Sequence, residues 1–208
     1  MVERNDSMKI TVIKDDEALT SVWSGGVSKQ YYIFPATASY SGRDFSFRIS
    51  VAAATTGDEA PYTNLPDVTR HLIMLEGIAH VVHEGRYELV MHPYREIDVF
   101  DGGWASSGRG RVTDLNLMVA GGSHGKMTVV DKNGSIPVAA VCEACQNQCN
   151  YLALFCGSGS AELSFSTGEA HSISCGDLLL AQAGAADSQV DVTLNNGKLI
   201  RMDVCCKR

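Results

Sequence analysis

The sequence lacks the long apolar runs, the basic surplus and the helical periodicity that mark several common protein classes. Its apolar runs, such as residues 72–75, 151–156 and 178–181, are far shorter than the ~20 residues that span a bilayer. Lys and Arg number 17 against 24 Asp and Glu, a net charge of −7, and no segment clusters basic residues with aromatic ones. Neither a membrane nor a nucleic acid is therefore an expected partner, and a mainly helical fold is excluded.

Catalytic signatures are also missing. The sequence has no Gly-x-Ser-x-Gly elbow, no phosphate-binding loop and no dinucleotide fingerprint. The histidines are scattered, and His80 and His83 are three residues apart, a spacing that directs two side chains of a strand to opposite faces. Two such imidazoles would not chelate one ion. We therefore predict no catalytic residue, no bound metal and no cofactor.

Seven cysteines, an odd number, occur in a chain whose first residues are polar rather than the apolar core of a secretory signal. A cytoplasmic protein with reduced thiols is the expectation. Four of the thiols are close enough in sequence to be considered as zinc ligands. Incidental thiols in a linker and redox sensing are the alternatives, and the sequence leaves the choice open for Cys142, Cys145, Cys149 and Cys156.

Alternation of apolar and polar residues is the main pattern of the chain. In residues 45–51, Phe45, Phe47, Ile49 and Val51 share one face of a predicted strand and Arg48 lies on the other. Turn sequences such as Glu84-Gly85 and Asn195-Asn196-Gly197 separate the short segments. The pattern predicts an all-β fold of antiparallel strands with little helix.

A weak internal repeat divides the chain. The order of strands and turns after Leu75-Glu76-Gly77 recurs after Phe155-Cys156-Gly157, which favours two barrels of similar strand order. We expect an N-terminal extension outside the fold over residues 1–7, an N-terminal half over 8–121, a connecting segment over 122–145 and a C-terminal half over 146–208.

Four phrases, in the order Trp23–Gln30, Asp44–Ala52, Pro61–Arg70 and Val112–Met118, resemble the HutD/Ves family. The first phrase departs from the family pattern, because its Asn is absent and Gln30 stands nearest the expected Glu. The resemblance implies a double-cupin fold built from jelly-roll barrels of the RmlC type. It also implies a regulatory, non-catalytic role in bacterial histidine utilisation, with formylglutamate or formiminoglutamate as ligand.

The candidate binding site uses the polar faces of the predicted strands. Arg48 and Asn116 alternate with apolar residues and Arg70 begins a strongly apolar strand, so these side chains face either solvent or a barrel lumen. A guanidinium fork binds a carboxylate through two parallel N–H donors, and an amide can bind a formyl or amide group. Loop and rim residues would add to the site, and the ones we select are Gln30, Ser28 and Tyr62.

Three alternatives to this interpretation exist, one of which is an interaction protein whose second, cysteine-bearing half docks a partner. The arginines could instead pair with acidic residues to fix loops, the candidates being Asp44, Asp67, Glu76 and Asp114. The protein could also be a cupin enzyme that acts on a small carboxylate substrate, with or without a metal. We expect binding of a small anionic molecule rather than catalysis. The oligomeric state is not predictable from the sequence.

Overall fold

A computed structural model of the chain describes residues 8–138, 148–183 and 188–207. The expected extension over residues 1–7 lies outside this part, as does much of the expected connecting segment. The described residues form one helical turn, Asp15–Glu17, and a series of strands. In chain order the strands are β1 (Lys9–Ile13), β2 (Leu19–Trp23), β3 (Gly26–Phe34), β4 (Phe47–Ala54), β5 (Ala60–Pro61), β6 (Thr69–Glu76), β7 (Ala79–His83), β8 (Tyr87–Met91), β9 (Ile97–Asp101), β10 (Ser106–Arg109), β11 (Thr113–Val119), β12 (His124–Val130), β13 (Gly134–Pro137), β14 (Gln148–Phe165), β15 (Ala170–Ser174), β16 (Leu178–Gln182) and β17 (Gln189–Lys207).

All pairings between these strands are antiparallel, which confirms the predicted all-β class. The described residues include no helix long and apolar enough to cross a membrane.

The chain divides into two compact units. The N-terminal unit comprises residues 18–123, and the C-terminal unit comprises the described residues of the ranges 1–17 and 124–208. These units differ from the boundaries expected from the sequence in two ways. Strand β1 belongs to the C-terminal unit because it pairs with β16. Strands β12 and β13, within the expected connecting segment, belong to that unit because both pair with β17.

Two sheets build the N-terminal unit. One has six strands in the order β2-β3-β4-β11-β6-β9, and the other has four in the order β5-β10-β7-β8. Buried apolar residues of both sheets share one core cluster, formed by Leu72, Met74, Ala79, Val81, Met91 and Phe100. The two sheets therefore pack face to face over this cluster.

Two long strands, β14 and β17, organise the C-terminal unit and pair along most of their length. Their register shifts around Ser158, where the backbones approach closely: a Cβ on Gly159 would lie 2.5 Å from the Asn196 carbonyl oxygen, and φ of Gly159 is +64°. At the first shift β14 has one extra residue relative to β17, which moves the side chains that follow it on β14 to the other face. At the second shift the extra residue is in β17. As a result Leu154, before the shifts, and Leu163, after them, lie in one apolar core.

Candidate functional site

A polar surface forms on one face of the six-stranded sheet, inside the N-terminal unit. Strand β11 lies between β4 and β6, and its register with both aligns side chains in rows across the three strands. Since alternate residues share a face, three successive rows point the same way. These rows are Arg48–Met118–Arg70, Ser50–Asn116–Leu72 and Ala52–Asp114–Met74.

A cavity of about 330 Å³ lies against this surface. Small side chains leave room for it, because Ser28, Ser50, Ala52 and Ala54 line the cavity where bulky residues would fill the space. Residues of the four-stranded sheet, among them Ala79 and Gly108, also line it. By contrast, apolar side chains such as Leu154, Leu163 and Phe165 pack the described interior of the C-terminal unit.

Arg48 is held in place by neutral groups. Its Nε donates to Gln30 Oε1 at 2.7 Å, its Nη1 donates to Ser50 Oγ at 2.7 Å, and its guanidinium carbon lies 4.4 Å from the centre of the Tyr40 ring. The side chain is buried. Burial, with a smaller contribution from the Arg70 charge, lowers the pKa of Arg48. These contacts orient the guanidinium without neutralising its charge.

Arg70 is the less satisfied of the two arginines. Its guanidinium carbon lies 5.0 Å from the centre of the Tyr62 ring and 5.1 Å from that of Phe100. The side chain is 6% exposed, and its buried Nε has no hydrogen-bond partner among the described residues. Burial lowers its pKa. A buried donor without a partner costs about 1–3 kcal/mol, so this position is not explained by stability alone.

Neither arginine forms an ion pair with a carboxylate within the described residues. The structure therefore does not contain the loop-fixing pairs that were the alternative interpretation of Arg48 and Arg70. Both positive charges remain available at the cavity wall.

Two acceptor groups on β11 complete the surface. Asn116 is 4% exposed, and its Oδ1 has no hydrogen-bond partner in the described part of the chain. Asp114, two residues earlier on the same face, is half-buried and lines the cavity. Burial raises the pKa of Asp114 to about 7, and the nearby Arg70 charge limits the rise. The Asp114 carboxyl group can therefore change its charge near neutral pH.

A buried hydrogen-bonded chain lies beside the cavity wall. His83 Nδ1 lies 2.7 Å from Ser106 Oγ, His83 Nε2 lies 2.8 Å from Asp98 Oδ2, and Tyr87 donates to Asp98 Oδ1 at 2.7 Å. The His83 ring also contacts Phe100, with 4.4 Å between the ring centres. Strand β7 carries His83 and β9 carries Asp98, so this chain joins the two sheets of the unit. Its serine, histidine and aspartate are all buried, and its evident contribution is structural.

The structure places the sequence-predicted residues close together. Arg48, Arg70, Asn116, Ser28 and Tyr62 line the cavity, and Gln30 accepts the hydrogen bond from Arg48 Nε. Their role in binding a ligand stays a prediction. Sequence reasoning missed Asp114 as a cavity residue, although its period-two spacing from Asn116 on a predicted strand was a usable signal. It also missed Tyr40, for which no such signal exists.

The histidine and cysteine predictions have separate outcomes. His83 is buried while His80 is half-buried and lies 3.1 Å from Glu88, which confirms that they point to opposite faces of β7. The described residues contain no group of three or more His, Cys, Asp or Glu side chains that could hold a metal ion. Cys142, Cys145 and the side chain of Cys149 lie outside the described part. The zinc hypothesis therefore stays open.

Comparison with known proteins identifies the family and the fold. Residues 15–200 match the model of the HutD family, and no curated protein matches the chain. HutD from Pseudomonas fluorescens SBW25 has a similar structure, with a TM-score of 0.73 and 18% identity over 96% of this chain and 100% of HutD. A conserved protein of unknown function from Pseudomonas aeruginosa PAO1 has a similar structure, with a TM-score of 0.75 and 15% identity over 94% of this chain and 98% of that chain. A cupin 2 conserved barrel domain protein from Leptotrichia buccalis has a TM-score of 0.56 and 12% identity over 95% of this chain and 96% of that chain. At these identities the likeness shows the fold alone, which is cupin-like.

Proposed function

The chain belongs to the HutD family, and we propose that it binds a small anionic molecule in the cavity of its N-terminal unit. One observation carries the proposal. Arg48 and Arg70 are both more than nine-tenths buried at the cavity wall, and neither forms an ion pair with a described carboxylate. Burying a charge without a counter-ion is costly. The carboxylate of a ligand would provide the missing partner through charge-assisted hydrogen bonds.

The ligand proposed on the strength of the family is a glutamate-like intermediate of histidine degradation, either formylglutamate or formiminoglutamate. A cavity of about 330 Å³ is at the small end of the range for ligand sites and suits a molecule of this size. The proposed role is sensing, in the cytoplasm, without a required metal. The proposed architecture is a double cupin in which each unit is one barrel.

A second candidate function is an enzyme that acts on a small carboxylate in the same cavity. The observation that favours it is Asp114, whose pKa is raised by burial to about 7. A general acid or base works best when its pKa is near the operating pH. Consumption of formylglutamate or formiminoglutamate by the purified protein would support this candidate, and an unchanged ligand after long incubation would exclude it for those two compounds.

Thermal unfolding tests the binding proposal directly. The protein is heated with formylglutamate, formiminoglutamate, urocanate, histidine or glutamate, each with and without a metal chelator. A ligand present at a hundred times its Kd stabilises by about 2.7 kcal/mol, which raises Tm by about 5–10 °C for a chain of this size. We expect a selective shift that the chelator does not change.

Two arginine variants make the test specific to the cavity. Arg70→Met should lose the ligand-dependent shift, whereas Arg95→Met should keep it, because the Arg95 side chain is 71% exposed and lies outside the cavity lining. The absence of any shift with all five compounds would contradict the proposed ligand class. A shift that disappears with the chelator would instead favour a metal-dependent protein.

A further inference from the structure

The cavity has acceptors as well as donors. Asn116 Oδ1, as the amide is oriented, is buried without a hydrogen-bond partner among the described residues. The Asp114 carboxylate forms neither a hydrogen bond nor an ion pair with the described part of the chain. A carboxylate ligand satisfies arginine donors but offers nothing to these two acceptors. The site is therefore incomplete with a simple carboxylate in it.

Donors and acceptors are separated along the sheet. Arg48 on β4 and Arg70 on β6 share the first row, Asn116 on β11 lies in the second, and Asp114 on β11 lies in the third. Successive rows on one face are about 6.8 Å apart. No ion pair joins Asp114 to either arginine, so the opposite charges do not cancel by direct contact. The cavity wall has a cationic end and an acceptor end.

We propose that the ligand of this cavity is an anion that also carries a nitrogen able to donate hydrogen bonds, and that Asp114 selects for a cationic nitrogen, such as an ammonium or amidinium group. The inference rests on the proposed function, because it assumes that the cavity binds a carboxylate at Arg48 and Arg70. It adds the chemistry of the opposite end of the ligand and assigns a specificity-determining role to Asp114.

The charge of Asp114 distinguishes the two candidate ligands. Formiminoglutamate carries a cationic amidinium group, and formylglutamate carries a neutral amide in its place. Hydrogen bonds between two charged groups are roughly twice as strong as those between neutral ones. Asn116 Oδ1 can accept from the N–H of either compound, so the preference comes from Asp114. The site should bind formiminoglutamate more tightly.

Isothermal titration calorimetry at pH 8.0, above the pKa of Asp114, tests the inference with two matched pairs of compounds. Glutamate differs from glutarate by its ammonium group, and formiminoglutamate differs from formylglutamate by the charge of its nitrogen group. We expect the cationic member of each pair to bind about tenfold more tightly. Asp114→Asn should reduce both ratios to below about threefold, and the affinity for glutarate should stay the same or rise, because the negative charge of Asp114 repels a dianion.

The control variant is Asp131→Asn, which removes one negative charge from an exposed position in the C-terminal unit and should leave both ratios unchanged. Equal affinities within each pair for the wild-type protein would overturn the inference and leave the carboxylate site intact. Failure of all four compounds to bind would instead overturn the proposed function. The wild-type ratios decide the matter even if Asp114→Asn does not fold.

Discussion

Replacing Arg70 with methionine tests whether the positive charge of Arg70 lowers the stability of the ligand-free protein. The change removes two contacts with Tyr62 and Phe100, each worth about 0.5–2 kcal/mol. It also removes a buried donor without a partner, which costs about 1–3 kcal/mol, and a desolvated charge, which costs several kcal/mol more. The costs that the change removes, those of the unpaired donor and the desolvated charge, exceed the stabilisation lost with the two ring contacts. We expect the ligand-free variant to be about 1–2 kcal/mol more stable, which raises Tm by about 2–8 °C.

Arg201→Met is the matched control, because Arg201 has the counter-ion that Arg70 lacks. Its Nε lies 2.8 Å from Asp203 Oδ2 and its Nη2 donates to Asp203 Oδ1 at 2.8 Å. Removing Arg201 leaves the buried Asp203 carboxylate without this partner, so Tm should fall. Calorimetric melting of both variants without ligand is the assay. A fall in Tm for Arg70→Met similar to that for Arg201→Met would refute the reasoning and make Arg70 a structural residue.

Three further predictions concern other parts of the fold. Because the pKa of Asp114 is about 7 against an ordinary 3.8, the folded state binds more protons than the unfolded state between these values, and this contribution to stability is lost as pH rises through 7. In urea unfolding, the free energy of unfolding of Asp114→Asn relative to that of the wild type should therefore rise between pH 4.5 and pH 8, by no more than about 4 kcal/mol. A difference that does not change with pH would contradict the buried environment assigned to the Asp114 carboxyl group. Gly159→Ala places a Cβ 2.5 Å from a backbone oxygen at positive φ, so it should lower the free energy of unfolding by more than about 2 kcal/mol in denaturant. The control is Gly134→Ala, whose added Cβ meets nothing within 4 Å. Equal effects of the two changes would disprove the close approach of β14 and β17. His83→Leu removes the imidazole partner of the buried Asp98 carboxylate and should cost about 3–5 kcal/mol, and a loss below about 1 kcal/mol in guanidinium unfolding would argue against the buried pair.

The period-two pattern of the sequence predicted which side chains share a strand face but not what each face meets. Phe47 and Ile49 are buried as expected, and Arg48 and Ser50 on the opposite face are buried as well. Alternation of polar and apolar residues looks the same for a solvated face and for a face lining a cavity. Only the packing of a second sheet over the polar face distinguishes them, and that contact is between residues far apart in sequence.

The division into units was less predictable than the strands. The pairing of β1 with β16 joins Ile10 to Ala181, and nothing local in either segment specifies so distant a partner. Tyr40 is a similar case within the site, because a loop residue reaches Arg48 only after the sheet has formed. Asp114 differs from both, since the strand pattern that identified Asn116 applies to it equally.

The pairing of β1 with β16 also bears on the order of events during protein synthesis. The N-terminal unit is one continuous stretch, residues 18–123, and its strands are all present once that stretch has left the ribosome. The C-terminal unit cannot be completed until β16 and β17 emerge. At about 5–20 residues per second, roughly 8–34 s separate the translation of β1 from that of β16. During this interval β1 lacks the strand with which it pairs, whereas the N-terminal unit already has all of its strands.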